Sequence, residues 1–120
     1  MPPKGILRAR AYVEHILAAA ERIRLYTARL SEDEFRASSM TQDAVIRNLE
    51  VIGEACRNIL RHHPDFAAAH PDIPWRSPYE MRNALAHAYF AVDLATTWQT
   101  IQTDLPAFAA LVSALLPEPP

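Results

Sequence analysis

The stretch that decides the fold is residues 41–61, which read TQDAVIRNLEVIGEACRNILR. Its apolar residues recur at three- and four-residue intervals, the spacing of one face of an α-helix. They are Val45, Leu49, Ile52, Cys56, Ile59 and Leu60. Basic residues close the stretch, where they favour the negative end of a helix dipole, and Pro64 prevents continuation. The pattern predicts a long amphipathic helix from Thr41 to about Arg61.

The chain before this helix shows the same periodicity. A first helix of about six turns is predicted over residues 6–30. Its apolar stripe consists of Val13, Ile16, Leu17, Ala20, Ile23 and Leu30. The run Ser31-Glu32-Asp33-Glu34 has the serine and glutamate spacing of a capping box, which predicts a short helical turn between the two long helices.

The chain after this helix turns a corner and then resumes helical patterns. Three prolines in residues 62–75 predict the corner, with one helical turn at residues 66–69. Ser77, Pro78 and Glu80 have the residue types of an N-cap, first position and third position, and they predict a helix that runs to about Phe90. Asp93 is the expected cap of a last helix, in which Pro106 introduces a kink or a break.

Composition supports an all-α fold in one domain. The 120 residues include 21 alanines and only 2 glycines, which suits helices and disfavours tight hairpins. We expect a single domain over residues 1–120, with flexible tails at 1–5 and 117–120, folded as an up-and-down bundle of four helices, or five if Pro106 is a break. The one cysteine excludes an internal disulfide. No membrane-length apolar run and no secretory leader is visible, so we expect a cytoplasmic protein.

Charge is distributed unevenly along the chain. The formal net charge is −2, yet residues 1–61 carry 10 basic and 8 acidic groups, and residues 62–120 carry 2 and 6. Eleven of the twelve cations are arginines, whose planar fork binds phosphate through two hydrogen bonds. Solvated helix faces explain the same composition, so the chemistry depends on where particular arginines stand.

The segment from Arg82 to Tyr89, which reads RNALAHAY, is not ordinary helix surface. At about 100° per residue, the polar side chains fall on one side of the helix and the apolar ones on the other. Arg82 and His87 lie about 140° apart, so they converge only on a group above Ala86. Asn83 and His87 are one turn apart, which places the amide beside the imidazole.

These residue types suit metal-free cleavage of RNA. Arg82 would bind a phosphate and stabilise the charge of five-coordinate phosphorus, and His87 would transfer a proton near neutral pH. One histidine supplies only a base or an acid, so two copies facing each other in a dimer are needed to supply both. The alternative is structural: Arg82 pairs with a glutamate, His87 caps a buried hydrogen bond, and Tyr89 packs.

The motif Arg82-x4-His87-x-Tyr89 resembles the Arg-x4-6-His signature of the HEPN superfamily, in the form found in HepT-like toxins. Residues 43–55 are similar to the second long helix of that family. Ile73-Pro74-Trp75 leading to Met81-Arg82-Asn83, and residues 89–94 leading to Trp98, also follow its pattern. The resemblance covers about residues 6–115.

The resemblance implies an all-α homodimer that joins through the motif helix and cleaves RNA, either tRNA or mRNA, without metal or cofactor. Arg82 and His87 would be catalytic and Asn83 would support them. The family's partner, an MntA-like nucleotidyltransferase antitoxin, would transfer AMP from ATP to Tyr89 and silence the toxin. The alternative is a non-catalytic HEPN module that binds nucleotide or assembles with a nucleotidyltransferase.

Residue 53 lies inside a predicted helix, where glycine costs about 1 kcal/mol relative to alanine. We expect another helix to approach Gly53 closely, near the motif. Arg47, Glu50 and Glu54 share one side of the same helix. They predict a salt-bridged surface or a dimer contact, with support of the active site by Glu54 or Asn48 as the alternative.

Other candidates have plainer interpretations. His62, His63 and His70 do not have metal-ligand spacing, since adjacent histidines point to different sides and no matching carboxylate or cysteine follows. Cys56 is expected in the core and not as a nucleophile. A further set could either steer RNA or form a solvated face. It comprises Tyr12, Arg22, Tyr26 and Arg29.

Overall fold

The computed structural model describes the backbone of residues 4–87 and 93–116 and the side chains of residues 8–83 and 93–116. Every regular element in these ranges is helical. In chain order they are α1 (Lys4–Thr27), α2 (Glu32–Ala37), α3 (Ser39–His62), α4 (Pro64–Ala69), α5 (Arg76–His87), α6 (Leu94–Gln99) and α7 (Leu105–Ser113). The all-α prediction is confirmed, with α1, α3, α5 and the α6–α7 run as main helices and α2 and α4 as short connections.

The core lies where α1 and α7 pack against the apolar face of α3. The largest fully buried side chains are Val13, Ile16, Ile23, Phe35, Val45, Ile52, Cys56, Ile59 and Val112. Burial of each large aliphatic side chain contributes about 1.5–3 kcal/mol. The predicted stripe of the second long helix is confirmed, with Leu60 at its edge only partly buried. No helix in the described parts of the chain is long and apolar enough to cross a bilayer.

Two predicted helix starts are confirmed by their hydrogen bonds. The Ser31 hydroxyl accepts from the Glu34 backbone N–H at 3.1 Å, and the Glu34 carboxylate accepts from the Ser31 N–H at 3.0 Å. The Asp93 carboxylate accepts from the backbone N–H of Thr96 at 3.1 Å and from its hydroxyl at 2.8 Å. These caps satisfy N–H groups that have no partner inside the helix.

Two other predicted starts are wrong by one or two residues. Helix α3 begins at Ser39, and its cap is Ser38, whose hydroxyl accepts from the backbone N–H of Thr41 at 3.3 Å. Helix α5 begins at Arg76, because a turn from Pro74 already brings the N–H of Ser77 to the Pro74 carbonyl at 3.2 Å. Ser77 therefore lies inside the first turn and not at the N-cap.

The last helix passes through Pro106 without a break. A π-helical turn, Thr100–Asp104, joins α6 to α7, and the N–H of Leu105 donates to the carbonyl of Thr100. The backbone stays right-handed and helical at Asp104 and Leu105. The wider turn lies where the proline ring would crowd a carbonyl and where proline lacks an N–H. The bundle therefore has four main helices.

Parts of the predictions lie outside the described residues. These are residues 1–3 and 117–120 of the predicted tails and residues 88–92, which include Tyr89 and the predicted end of the motif helix at Phe90. For His87 only the backbone is described, and it stands at the last described position of α5.

Candidate active site

Helices α3 and α5 approach each other most closely at Gly53. A methyl group on Gly53 would overlap the Cβ of Arg82, would lie 2.6 Å from the carbonyl oxygen of Pro78, and would lie 3.0 Å from the Cγ of Arg82. Only a residue without a side chain fits there. The predicted close approach near the motif is confirmed, and it clamps the base of the Arg82 side chain against α3.

The Arg82 guanidinium extends from this clamp to the surface. Its side chain is 36% exposed. Nη1 donates a 3.0 Å hydrogen bond to the Asn83 side-chain oxygen, and Nη2 lies 3.3 Å from Oε2 of Glu54. These two neighbours limit the orientations that the fork can adopt while leaving part of it open to solvent. Arg82 is thus presented in a defined position and not buried in the core.

The Glu54 carboxylate lies between two arginines. Oε1 accepts from Nη1 of Arg57 at 3.3 Å, and Oε2 faces Arg82. Oε2 is shielded from solvent, and in the described part of the chain it has no aligned hydrogen bond. A shielded carboxylate oxygen needs a compensating cation, and Arg82 is the one beside it. The predicted salt bridges of this helix face are confirmed for Glu54, which also meets the motif arginine as the alternative interpretation required.

A cleft of about 310 Å³ opens beside Arg82 along the polar edge of α3. It is lined by Tyr12, His15, Arg47, Glu50, Val51, Glu54, Ala55, Asn58 and Arg82. Two arginines and two glutamates face it, so the cleft is wet and nearly balanced in charge. His15 in this cleft was missed by the sequence analysis, because it comes from α1 and no local motif relates it to Arg82.

Asn83 connects Arg82 to a second tyrosine, Tyr79, one turn earlier on α5. The Asn83 side chain, most strongly, and then the guanidinium groups of Arg57 and Arg61 lower the pKa of the Tyr79 phenol, against an opposing effect of desolvation. An amide that accepts from Arg82 keeps its N–H groups free to donate. The sequence analysis missed Tyr79, although its spacing to Asn83 places both on one face of the helix.

Asn48 has a structural role. Its side-chain oxygen accepts from Nε of Arg22 at 2.8 Å, and its amide nitrogen donates to the carbonyl of Ala44 at 2.8 Å. Asn48 is buried and ties α1 to α3. These contacts use both ends of the amide, so the support of the site that the alternative assigned to Asn48 falls to Glu54. Arg22 likewise serves this tie.

The remaining candidates pack as side chains of the bundle. The ring of His63 lies 6.0 Å from that of Tyr12, and the ring of His70 lies 5.0 Å from that of Phe66. Among the described residues, no three histidine, cysteine, aspartate or glutamate side chains are placed to hold a metal ion. Cys56 is buried, and burial raises the pKa of its thiol to about 12, which confirms a core residue and not a nucleophile.

The arrangement can bind an anion at a fixed position. A guanidinium that is clamped at its base, held by an amide and a carboxylate, and open on one side can turn its free N–H groups to a phosphate. The predicted convergence of Arg82 with His87 over Ala86 concerns side chains outside those described, so it stays a prediction. Helix α5 does carry both positions, five residues apart.

Comparison with known proteins identifies the family. The family described as "Ribonuclease HepT-like" matches residues 16–115. The chain is 45% identical over 96 residues to "Probable ribonuclease HepT" of Thermococcus cleftensis, covering 80% of this chain and 84% of that protein.

Two relatives come from Methanocaldococcus jannaschii. One, a "Putative RNase", is 36% identical over 97 residues, covering 81% of this chain and 86% of that protein. The other, a "Gamma-glutamylcyclotransferase and putative RNase", is 39% identical over 107 residues, covering 89% of this chain and 47% of that protein. No solved structure matches the chain significantly. The match across most of the chain, together with the helical fold, shows that the chain belongs to the HepT-like ribonuclease family of the HEPN superfamily.

Proposed function

We propose that this protein is a metal-independent endoribonuclease, the toxin of a HEPN–MNT toxin–antitoxin module, and that it acts as a homodimer. The observation that carries the proposal is the Arg82 guanidinium, clamped at Gly53 and held at a half-exposed position by Glu54 and Asn83. The family match and the ribonuclease names of the relatives support the reaction class.

The reaction is a transesterification within the RNA. A base, the imidazole of His87, takes the proton from a ribose 2′-hydroxyl, and the oxygen attacks the adjacent phosphorus. The new bond joins O2′ to phosphorus, the bond from phosphorus to O5′ breaks, and an acid gives a proton to O5′. Arg82 stabilises the extra negative charge on the phosphorane oxygens. The products are a 2′,3′-cyclic phosphate and a free 5′-hydroxyl.

The need for a base and an acid is the reason for the dimer. One chain contributes a single histidine in the motif, and a neutral imidazole cannot serve as the proton donor in the same event. The partner subunit's His87, facing the same RNA linkage, would supply the second function. Two motif arginines would then flank the scissile phosphate, which suits a group that gains charge in the transition state.

We further propose that an MntA-like nucleotidyltransferase silences the enzyme at Tyr89. The phenol oxygen would attack the α-phosphorus of ATP, pyrophosphate would leave, and the phenol proton would pass to solvent. Seven residues after Arg82, Tyr89 falls on the arginine's side of the helix. An AMP phosphate attached there would compete for Arg82 and would block the cleft. Co-expression with the partner should add AMP mass to the peptide that holds Tyr89, and an unmodified peptide from an active pair would contradict this regulation.

A direct test uses RNA and product ends. Purified protein and its Arg82→Ala and His87→Ala variants are incubated with tRNA and total RNA in EDTA. We expect cleavage by the parent protein alone, with cyclic phosphate at one new end and a hydroxyl at the other. Cleavage that requires divalent metal, or that leaves 5′-phosphate ends, would contradict the proposed mechanism. Equal cleavage by all three proteins would indicate a contaminating nuclease.

One observation favours a non-catalytic HEPN module as the second candidate. Arg82 already has an ion-pair partner in Glu54, as a purely structural arginine would. Such a module would bind nucleotide or assemble with its nucleotidyltransferase. It predicts intact RNA in every reaction, with Tyr89 shown to be unmodified by mass spectrometry.

A further inference from the structure

A second basic hollow lies next to the Arg82 site. Its volume is about 270 Å³, and it is lined by Arg57, Leu60, Arg61, Arg76, Tyr79 and Glu80. Three guanidinium groups face one carboxylate there, in a chain whose net charge is −2. Arg61 and Arg76 are exposed, and the Tyr79 phenol is half-buried between the ends of α3 and α5. This concentration of arginine around an aromatic ring is the donor set of a nucleic-acid backbone site.

The two helices arrange the hollow by simple spacing. Arg57 and Arg61 are one turn apart at the end of α3, so they share a face. Arg76 begins α5, and Tyr79 follows three residues later on the adjoining face. The electrostatic effect of Arg57 and Arg61 reaches the Tyr79 phenol, whose pKa they help to lower. The cations therefore act on a common point above the ring.

The hollow is continuous with the Arg82 site through two chains of contacts. Glu54 bridges Arg57 and Arg82 through its two carboxylate oxygens. Asn83 accepts from Arg82 on one side and acts on Tyr79 on the other. A strand whose scissile phosphate rests on Arg82 would find its neighbouring phosphates beside these arginines without crossing an apolar surface.

We propose that the hollow formed by Arg57, Arg61, Arg76 and Tyr79 binds the single-stranded RNA that flanks the scissile linkage. The arginines bind phosphates and the phenol ring stacks on a base. The inference rests on the proposed ribonuclease function and extends it by a subsite for flanking nucleotides. The substrate class that fits is unpaired RNA, such as a tRNA loop or end, because a duplex keeps its bases away from the Tyr79 ring.

The test measures binding of a single-stranded 2′-O-methyl RNA, which cannot be cleaved because it lacks the attacking hydroxyl. The full-length protein is compared with the double variant Arg61→Gln and Arg76→Gln by fluorescence anisotropy over a range of salt. Each lost phosphate contact weakens binding about five-fold at 0.1 M salt, so we expect a loss of about 25-fold. The slope of log affinity against log salt should fall by about 1.4.

The control is the double variant Arg24→Gln and Arg36→Gln. It makes the same change in charge at two exposed arginines that pair with glutamates on their own helices. This control should bind RNA within about two-fold of the parent if the site is local. Tyr79→Ala should weaken binding about ten-fold and Tyr79→Phe should not, since phenylalanine keeps the stacking surface. Parent-like binding by the Arg61 and Arg76 variant, or an equal loss in the control, would overturn the proposal.

Cleavage of a dinucleotide separates this inference from the proposed function. A dinucleotide has one phosphodiester, which Arg82 would hold, and no flanking phosphates. We expect the Arg61→Gln and Arg76→Gln variant to cleave it at the parental rate and to cleave longer RNA with a raised KM. If the parent cleaves neither substrate and RNA binding still depends on the hollow, the ribonuclease proposal fails and the RNA subsite stands. An equal loss on the dinucleotide would overturn the subsite instead.

Discussion

The two faces of α3 do different work in this protein. The face toward α1 and α7 is apolar, and Val45, Ile52 and Ile59 on it are fully buried. The face toward α5 carries Gly53 and Glu54, where the motif arginine is clamped and held. The comparison shows that one helix can stabilise the fold with one face and position a reactive side chain with the other.

The polar face gives up stability that the apolar face supplies. A glycine inside a helix costs about 1 kcal/mol relative to alanine. A carboxylate oxygen that is shielded and without an aligned hydrogen bond adds a further cost. Neither feature improves packing, so the interpretation that accounts for both is the presentation of Arg82. Variants on the two faces should therefore separate folding from activity.

The largest effect on stability is expected on the apolar face. Ile59→Ala removes a fully buried side chain between α3 and α1, and the cavity should lower the free energy of unfolding by about 2–5 kcal/mol. Guanidinium denaturation followed by circular dichroism measures the change. Leu111→Ala is the control, because that side chain is 39% exposed and its loss should cost little. Equal losses in the two variants would remove the distinction between core and surface.

Gly53→Ala tests the junction between the two faces. The new methyl group would meet the Cβ of Arg82 and the Pro78 carbonyl, so α5 must move away from α3. We expect a loss of about 1–3 kcal/mol in the free energy of unfolding, together with a loss of cleavage because Arg82 moves with α5. If Gly53 were only tolerated, alanine would stabilise the helix by about 1 kcal/mol. The sign of the change decides between these accounts.

The smallest effect on stability is expected at Glu54. Glu54→Gln keeps the shape of the side chain and removes its charge, and a half-exposed ion pair contributes at most about 1 kcal/mol. Removing this anion beside Arg82 should tighten RNA binding at low salt, and high salt should suppress the gain by screening. Weaker RNA binding by Glu54→Gln at all salt concentrations would mean that the negative charge itself positions the arginine.

The sequence predicts the apolar face of α3 better than the polar one. Periodicity identifies Val45, Ile52 and Ile59 because core packing repeats with the helix. The capping box at Ser31 is equally local, and it is confirmed. The start of α5 was missed by one residue, because the turn at Pro74 begins the helix before Ser77.

Contacts between helices were accessible only where one residue type leaves few choices. Gly53 signalled a close approach because glycine has few other reasons to stand inside a helix, and that approach is confirmed. The ion pair of Glu54 with Arg82 and the gathering of Arg57 and Arg76 around Tyr79 involve residues 22 to 28 positions apart or on different helices. No local spacing encodes them. They follow from how α5 crosses α3.

The central claim is that the Arg82 guanidinium serves cleavage and not folding, and Arg82→Ala tests it most directly. Alanine keeps the Cβ that packs on Gly53 and removes only the group held by Glu54 and Asn83. The measurement is the single-turnover cleavage rate in EDTA, made on preparations whose free energy of unfolding is also determined. The account predicts a rate lowered about 10²–10³-fold with the free energy of unfolding changed by less than about 1 kcal/mol. A parental cleavage rate, or a loss of cleavage that only follows a loss of folded protein, would contradict it.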